Sequence, residues 1–542
     1  MNPGRSIWGC ALSPGAGRTK TSGSGNLPGA PGWALDGPLA CGLAVVYLAM
    51  LAAWVPQYLS WPWWTDLDHF ATFALAWDAG VLPYRDLPTF QFPGEYYAFW
   101  VLGKVFGWGR TWPVYAADAA SLFALGVAAA CWSRARFGRT LPGVVGYGWF
   151  LCYYLNLGVH QVAQRDWHAA FLATLGLFAA EVVPGRPGRA ASALALAAAV
   201  AIRPHVVLLM PAFLLAIDGA ARPPGGPWVL SGRAVRDWGA MLCGFTALAF
   251  APLAVAGTLD DFLRGLREAA PGGPYNALTP ATLAARLVRQ LADQRLATAV
   301  ACGVALLAFR GETGRRRTAL VWLAAFAGAW MYRPLSPIAH AYLNHPVMLA
   351  GSVLAATLVG LVLEARGWST ALRAAVIVLV AGAGFSAWPR YVSVSRSLHA
   401  LTAGEGVEFP RTPPDCSRLH QFYTWDEYRG TVFYLRRTVA PGVKLANALQ
   451  GLPALTGPVA RLPAFSEVSL WWFEARVRKP GLEESYIQAL RGNPRSVVVW
   501  KPGEGDSPYS FMPRRLTAYI RSAYALEARI GTIEVWRRLP GT

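Results

Sequence analysis

From residue 38 to residue 389 the chain is a succession of apolar runs separated by short polar, arginine-bearing segments. The runs at 38–57, 114–133, 141–157, 167–183, 190–202, 204–217, 238–257, 296–310, 318–332, 345–364 and 371–389 predict roughly eleven membrane-spanning helices. Several are shorter than the ~20 residues a straight span needs. The pair 190–202 and 204–217 is interrupted at Arg203-Pro204, so it predicts one kinked or re-entrant unit. The first run lacks a small-residue cleavage site and exceeds the apolar core of a signal peptide, which predicts an uncleaved first span.

Three regions depart from this pattern. Residues 1–36, rich in Gly, Ser and Pro with Arg5, Arg18 and Lys20, predict a disordered cytoplasmic tail. Residues 58–113 form a long aromatic loop. Its stretches DHFATFALAWDAG and GEYYAFWVLGKVFG are apolar at helical spacing but too short or too polar to span, which predicts helices lying along the membrane surface. From residue 390 to 542, short β-type runs (Ser496–Trp500, Thr532–Trp536) alternate with helical stretches (Asp426–Thr438, Leu482–Arg491). This predicts a compact α/β domain outside the membrane. The fold class expected is a multi-pass α-helical membrane protein with a C-terminal extracytoplasmic α/β domain. Its transmembrane part covers 37–389. No repeat of fixed period is present.

Composition agrees. Of 542 residues, 54% are hydrophobic and only 15% charged, against about a quarter charged in soluble domains. The 24 Trp suit membrane interfaces. The net charge of +19 does not point to nucleic acid. The basic residues are mostly Arg and cluster between apolar runs, as at Arg134/Arg136/Arg139, Arg186/Arg189, Arg222/Arg233/Arg236 and Arg315/Arg316/Arg317. That is the positive-inside pattern. It puts these loops in the cytoplasm, and the 58–113 loop and terminal domain outside an inner membrane. The seven cysteines contain no CxxC pair, which argues against structural zinc.

Candidate chemistry concentrates at the outer side. Asp66 and Asp68 follow Trp61, Trp63 and Trp64; as an i, i+2 acidic pair near lipid they suit a general base or a divalent-metal pair, and equally helix capping. On a helix the two diverge by about 200°, so one must cap or face water. Gly80–Asp86 and Phe92–Tyr97 contain turn formers that read mostly as structure. Tyr84, Arg85, Glu95 and Tyr96 there could line a cavity. Arg165 opens a later span in Gln164-Arg165-Asp166-Trp167-His168, where a cation is costly unless paired; it could fork onto a phosphate, with His168 on the same face, or anchor at the interface. Arg203, Arg333, His340 and His345 could each reach the same outer cavity, His340 lining it with the loop residues, and read equally as snorkelling cations or solvated loop residues. The histidines lack HExxH spacing, so no metal is placed on them. Walker A, GxGxxG and GxSxG are absent, so no machinery for soluble-nucleotide transfer is visible.

Asp66 through Gly80, Pro83-Tyr84-Arg85-Asp86, Pro93-Gly94-Glu95-Tyr96-Tyr97 and Gly103–Gly107 resemble the first outer loop of GT-C glycosyltransferases, in the bacterial protein-mannosyltransferase-like or ArnT-like branch. Gln164–His168 is similar to a basic motif at a later helix start in that branch. The likeness covers roughly the first 220 residues. Many members have Asp-Glu where this chain has Asp66-Leu67, and Pro-Pro where it has Pro93-Gly94. The resemblance implies transfer of a sugar from a polyprenyl-phosphate donor to a glycan, lipid or protein acceptor outside the cytoplasm. It implies Asp66 as general base with Asp68 in support, and Arg165, His168, Arg203 and Arg333 on the carrier phosphate. No cofactor is fixed; a divalent metal stays open. Two alternatives are a transporter or flippase of a lipid-linked or anionic substrate and a membrane-anchored binding protein using 390–542. The first needs polar residues deep in several spans, few of which are visible beyond Arg203. The second leaves the elaborate first loop unexplained.

Overall fold

The computed structural model describes residues 36–540 except 64, 218–230, 270–278, 310–312, 337–340, 366, 387–388, 403–417, 421–422, 448–454, 466–481 and 502–513. Of the predicted tail 1–36, residues 1–35 lie outside the described residues, as does His340, while Asp36 opens the first helix.

All eleven apolar runs are helical. They correspond to α1 (Asp36–Leu59), α4 (Trp112–Phe137), α5 (Leu141–Tyr154), α6 (Arg165–Val182), α7 (Gly185–Ile202), α8 (Met210–Ala216) with its 3-10 lead Pro204–Leu209, α9 (Gly232–Val255), α12 (Arg295–Ala308), α13 (Thr313–Leu335), α14 (His345–Glu364) and α15 (Thr370–Phe385). Among the described residues, four helices are long and apolar enough by themselves to cross a membrane: Gly37–Leu59, Trp112–Phe137, Gly232–Val255 and Tyr342–Glu364. A fifth candidate is α11 (Pro280–Asp293) with α12, bent by 81°. The predicted break is present: Arg203 is extended (φ −148°, ψ 105°) between α7 and the 3-10 turn. Among the described residues of 114–389, two helices were not predicted, α11 and α10 (Leu259–Ala269). Both carry one apolar and one charged face, with Asp260, Asp261, Arg264 and Arg267 marking the polar side of α10.

Packing in the bundle is tight where residues are small. In α5, a Cβ on Gly143 would lie 2.2 Å from the carbonyl of Ala129 on α4. One on Gly146 would lie 2.4 Å from that of Ser352 on α14, and one on Gly148 would lie 2.0 Å from the Tyr47 hydroxyl on α1. Close backbone approach replaces the hydrophobic effect as the packing force between helices in lipid. α14 is enclosed by its neighbours, whereas α9 leaves Leu248 and Val255 outward, as a lipid-facing helix would.

Contacts between helix ends order the bundle. At one end, Arg136 of α4 donates to Thr318 of α13 (2.7 and 3.0 Å), Arg317 donates to the Leu215 carbonyl at the end of α8, and Arg315 pairs with Glu364. At the other end, Gln57 near the close of α1 donates to the Tyr391 carbonyl, and Arg85 donates to the Gly257 carbonyl beyond α9.

The 58–113 loop carries α2 (Thr65–Asp78) and α3 (Gly94–Phe106). α3 leaves Trp100, Val101, Val105 and Phe106 exposed, as a membrane-surface helix should. α2 differs from the expectation: Leu67, Phe70, Ala71, Phe73 and Ala74 are all buried, because α3 covers one side and the terminal domain another.

Residues 418–538 contain a small sheet with helices beside it. The sheet has the order β3 (Leu445–Asn447), β4 (Val497–Trp500), β6 (Ile533–Arg538), β5 (Tyr524–Ile530), with β3–β4 parallel and the rest antiparallel. Alternate side chains of β4 feed opposite cores. Val497 and Val499 meet Tyr428, Val432 and Leu435 of the helix Trp425–Thr438. Val498 and Trp500 meet Ile487 and Leu490 of Leu482–Gly492, and Ile520 of Arg514–Ala523. A separate two-residue pairing joins Arg418–His420 to Tyr423–Thr424.

Candidate active site

α6 begins at Arg165 with an extended residue before it, so the positive end of its dipole lies at Arg165. Arg165 is only 6% exposed. Its guanidinium lies 5.5 Å from the Phe70 ring of α2, and its Nε is shut from solvent with no acceptor. Among the described residues no carboxylate pairs with it. A buried cation without a partner is costly, and is a functional candidate by default in a membrane protein.

The next residue is neutralised. Asp166, fully buried, accepts from Arg203 Nε at 2.9 Å and from the Tyr332 hydroxyl. Arg203 Nε also reaches Tyr332 Oη at 3.0 Å. The break at Arg203-Pro204 thus carries a specific bond: the extended backbone there aims the guanidinium at the start of α6. Tyr342, in the short 3-10 turn Ala341–Asn344, lies within the electrostatic reach of Asp66, Asp166, Arg165 and Arg203 alike. These residues come from four separate stretches of the chain and gather at one place.

Asp66 is half-buried in the first turn of α2, and its charge reaches Tyr342. The Oδ1 of Asp68 accepts the Gly457 backbone N–H at 3.1 Å and the Thr72 hydroxyl at 3.5 Å, and Thr72 meets Thr456 at 2.5 Å. The divergence expected of i, i+2 residues is present, but Asp68 faces the terminal domain where a cap or water was expected. Burial raises the Asp68 carboxyl well above its ordinary range, against the lowering effect of the Gly457 N–H and Thr72. Beside it, His69 is pushed down to about 3, first by burial and then by the Arg165 charge. It is therefore neutral.

His168 shares a helix with Arg165 but has a different environment. Its Nδ1 meets Glu95 at 2.6 Å and its Nε2 meets Asp118 at 3.2 Å. Asp118 also accepts from Tyr58 (2.7 Å) and Tyr154 (2.8 Å). The ring therefore ties α3 to α4. Glu95 is spent on this bridge. Tyr96 lies 3.2 Å from Thr89 and 3.4 Å from His69, stacked on Phe73. Tyr84, at φ 70°, donates to the Gln91 carbonyl at 2.9 Å, and Arg85 pairs with Asp261 at 3.2 Å; both hold the loop shape. Arg333 pairs with Asp293 at 2.6 Å in the α11–α13 seam, and His345 donates to the Gln161 carbonyl at 2.7 Å. Asp66, Arg165 and Arg203 all lie within electrostatic reach of Tyr342. The structure gives His168, Glu95, Asp68, Tyr84, Arg85, Tyr96 and Arg333 other partners.

Buried charge inside the spans exceeds what the sequence led one to expect. Asp118 and Glu181 are each buried, and Glu181 Oε2 accepts from Trp132 (2.7 Å) and Trp322 (2.8 Å). Their signal was present as single acidic residues within apolar runs. Asp166 and Tyr332 were visible only as parts of motifs. Among the described residues no group of three or more His, Cys, Asp and Glu side chains is placed to hold a metal ion.

No family model matches the chain, and no curated protein matches it in sequence. Solved structures do share its fold. The crystal structure of ArnT from Cupriavidus metallidurans in the apo state is similar over 92% of this chain and 98% of that chain, with a TM-score of 0.56 and 12% identity. The ArnT structure from the same organism bound to undecaprenyl phosphate is similar over 93% and 99%, with a TM-score of 0.51 and 13% identity. The likeness extends beyond the first 220 residues to nearly the whole chain, terminal region included.

Proposed function

We propose that this protein is a membrane glycosyltransferase that moves a sugar from a polyprenyl-phosphate donor to an acceptor on the outer side of the inner membrane. The observation that carries the reading is Arg165: a buried cation with no ion-paired carboxylate among the described residues, its charge reaching Tyr342 as that of Asp66 does. It sits in a fold shared with an ArnT structure that holds undecaprenyl phosphate.

In the reaction, the acceptor hydroxyl attacks the anomeric carbon of the donor sugar. Its proton passes to the Asp66 carboxylate, the new C–O bond forms, and the bond from the sugar to the carrier phosphate breaks. The phosphate leaves with the electron pair and one more unit of negative charge. Arg165 and the positive end of α6 meet that charge in a site of low dielectric, where such stabilisation is largest. Arg203, already neutralised by Asp166, fixes the α6 start and lends a second guanidinium face. Asp68 and His168 act as positioning residues, through the terminal domain and through α3 and α4.

The helix-end contacts support eleven passes. If the Arg136/Arg315/Arg317 end is cytoplasmic, the chain crosses at α1, α4 to α7, the 3-10 turn with α8, α9, and α12 to α15. The terminal domain then shares the outer side with α2. A reporter active only in the cytoplasm, fused after Thr542, should give no signal. For the chemistry, Asp66→Asn should lower transfer from a polyprenyl-phosphate sugar at least ~100-fold while the protein folds normally. Arg165→Ala should weaken donor binding, and Arg165→Lys should keep part of it, since charge stays while the fork is lost. Normal transfer by Asp66→Asn and undiminished donor binding by Arg165→Ala would together remove the proposal.

A further inference from the structure

The turn from α6 to α7 passes through Val183, Pro184 and Gly185 (φ 72°), after which Arg186 and Arg189 lie in the first turn and a half of α7. α9 starts beside it. Ser231 accepts from the Ala234 N–H (3.4 Å), and Arg233 projects from the first turn. Trp238 of α9 donates to Ser192 of α7 (3.4 Å) and stacks on Phe213, holding the two helix starts together. Between them lies an open recess of about 780 Å³ lined by Arg186, Arg189, Arg233, Ser231 and Asp237.

Its chemistry is one-sided. Among the described residues, three guanidiniums face one carboxylate, a net charge of about +2. Among the described residues, none of these three arginines and not Asp237 forms an ion pair, although the recess brings them to one place. Arg189 Nε is shut from solvent and has no acceptor. The positive ends of α7 (18 residues) and α9 (24 residues) both open here. The volume lies within the range of small-molecule sites and exceeds what a lone ion requires. Arg165 is at the far end of α6, whose 18 residues span about 27 Å. This is therefore a different place from the proposed carrier-phosphate site.

We infer that the recess between the starts of α7 and α9 binds a phosphate-bearing anion through Arg186, Arg189 and Arg233. Two sources carry that chemistry, the headgroup of an anionic phospholipid and a soluble phosphate ester. Asp237 at the rim selects for ligands with a donor beside the phosphate, such as a glycerol hydroxyl.

The full chain in neutral detergent is titrated with phosphatidylglycerol, phosphatidylcholine, glycerol 3-phosphate and inorganic phosphate, and bound ligand is counted by native mass spectrometry. Wild type should hold one phosphatidylglycerol or one soluble phosphate compound above the phosphatidylcholine level. Arg186→Gln/Arg189→Gln/Arg233→Gln should weaken that binding at least tenfold, while Arg316→Gln, an exposed arginine elsewhere, should not. Binding of the lipid alone identifies a headgroup site; binding of the soluble compounds alone identifies an ester site. If the triple variant unfolds, Arg189→Gln alone should weaken binding about threefold or more, and Arg189→Lys less. Binding of none of the phosphate compounds by wild type, or equal binding by the folded variants, overturns the inference. Both outcomes are independent of whether Asp66 and Arg165 act in sugar transfer.

Discussion

Asp68→Asn, Asp68→Ala and Gly457→Ala together test whether Asp68 docks the terminal domain or acts on substrate. The Asp68 carboxylate is 2% exposed, accepts the Gly457 N–H at 3.1 Å, and has its second oxygen without a partner. Alanine leaves the Gly457 N–H unsatisfied in a buried seam, at a cost of about 1–3 kcal/mol. That corresponds to roughly 5- to 140-fold in the opening equilibrium of the seam. Asparagine keeps the accepting oxygen and removes the charge that burial disfavours. The sign follows from the raised native value: between the ordinary value of 3.8 and that raised value, the native carboxyl keeps a proton the unfolded chain has lost. This contribution is full at low pH and declines as pH rises through that window. Asparagine resembles the protonated form, so it should match or exceed wild type in stability at neutral pH and remove this decline. Gly457→Ala places a Cβ 2.4 Å from Asp68 Oδ1 and 3.1 Å from Ala71 and Trp63, an overpacking cost of about 1–3 kcal/mol. Combined with Asp68→Ala, the first of these clashes vanishes, and the double variant should be less destabilised than the sum. The assay is hydrogen exchange at 456–459 in the intact protein, alongside transfer activity. Asp68→Asn that leaves exchange unchanged but abolishes transfer would refute the docking role and make Asp68 a chemical participant. Additive single effects would refute the contact itself.

Arg203→Ala leaves Asp166 charged and buried without its cation, so the thermal midpoint should fall as expected for a loss of about 3–5 kcal/mol, with Arg203→Lys recovering part of it. His168→Gln should likewise destabilise the protein, by stranding Glu95 and Asp118, and the double variant His168→Gln/Glu95→Gln should recover stability; a His168→Gln protein of normal stability that loses only donor binding would instead place His168 on the phosphate. Thr424→Ala removes a capping box in which Glu427 Oε2 accepts the Thr424 N–H at 2.7 Å, and should cost about 1 kcal/mol in the terminal domain, read by chemical denaturation, with no effect on transfer per folded molecule.

The apolar runs were legible because lipid imposes one simple rule on any spanning segment, that its backbone satisfy itself. The break at Arg203-Pro204 and the acidic first loop were legible for local reasons, a missing N–H and a charge density out of place. What a given charge pairs with was not, because it depends on which helices become neighbours. His168 and Arg165 share one helix face at i, i+3, yet one meets two carboxylates and the other none. α10 and α11 went unseen because their apolar and charged positions average to a polar stretch when hydropathy alone is followed. In the terminal region β4 and β6 were readable from their runs of β-branched and aromatic residues. β5, reading Tyr-Ala-Leu-Glu-Ala-Arg-Ile, is composed like a helix and becomes a strand through pairing with β6.

The arrangement of buried charges separates two tasks that one motif had seemed to share. A transferase handling a lipid phosphate needs a cation that is free to receive it, and a scaffold that keeps that cation from collapsing onto the nearest carboxylate. Asp166, one residue from Arg165, is the carboxylate most able to quench it, and Arg203 with Tyr332 occupies Asp166. Glu95 and Asp118 are the next, and His168 occupies both. Asp68, closest to Asp66 in sequence, is turned into the terminal domain by the helical twist of α2. Asp166, Glu95, Asp118 and Asp68 thus each have a named donor, and among the described residues Arg165 forms no ion pair. In the proposed reaction the surrounding residues keep the other charges engaged, so substituting them should act on stability first and on transfer through it.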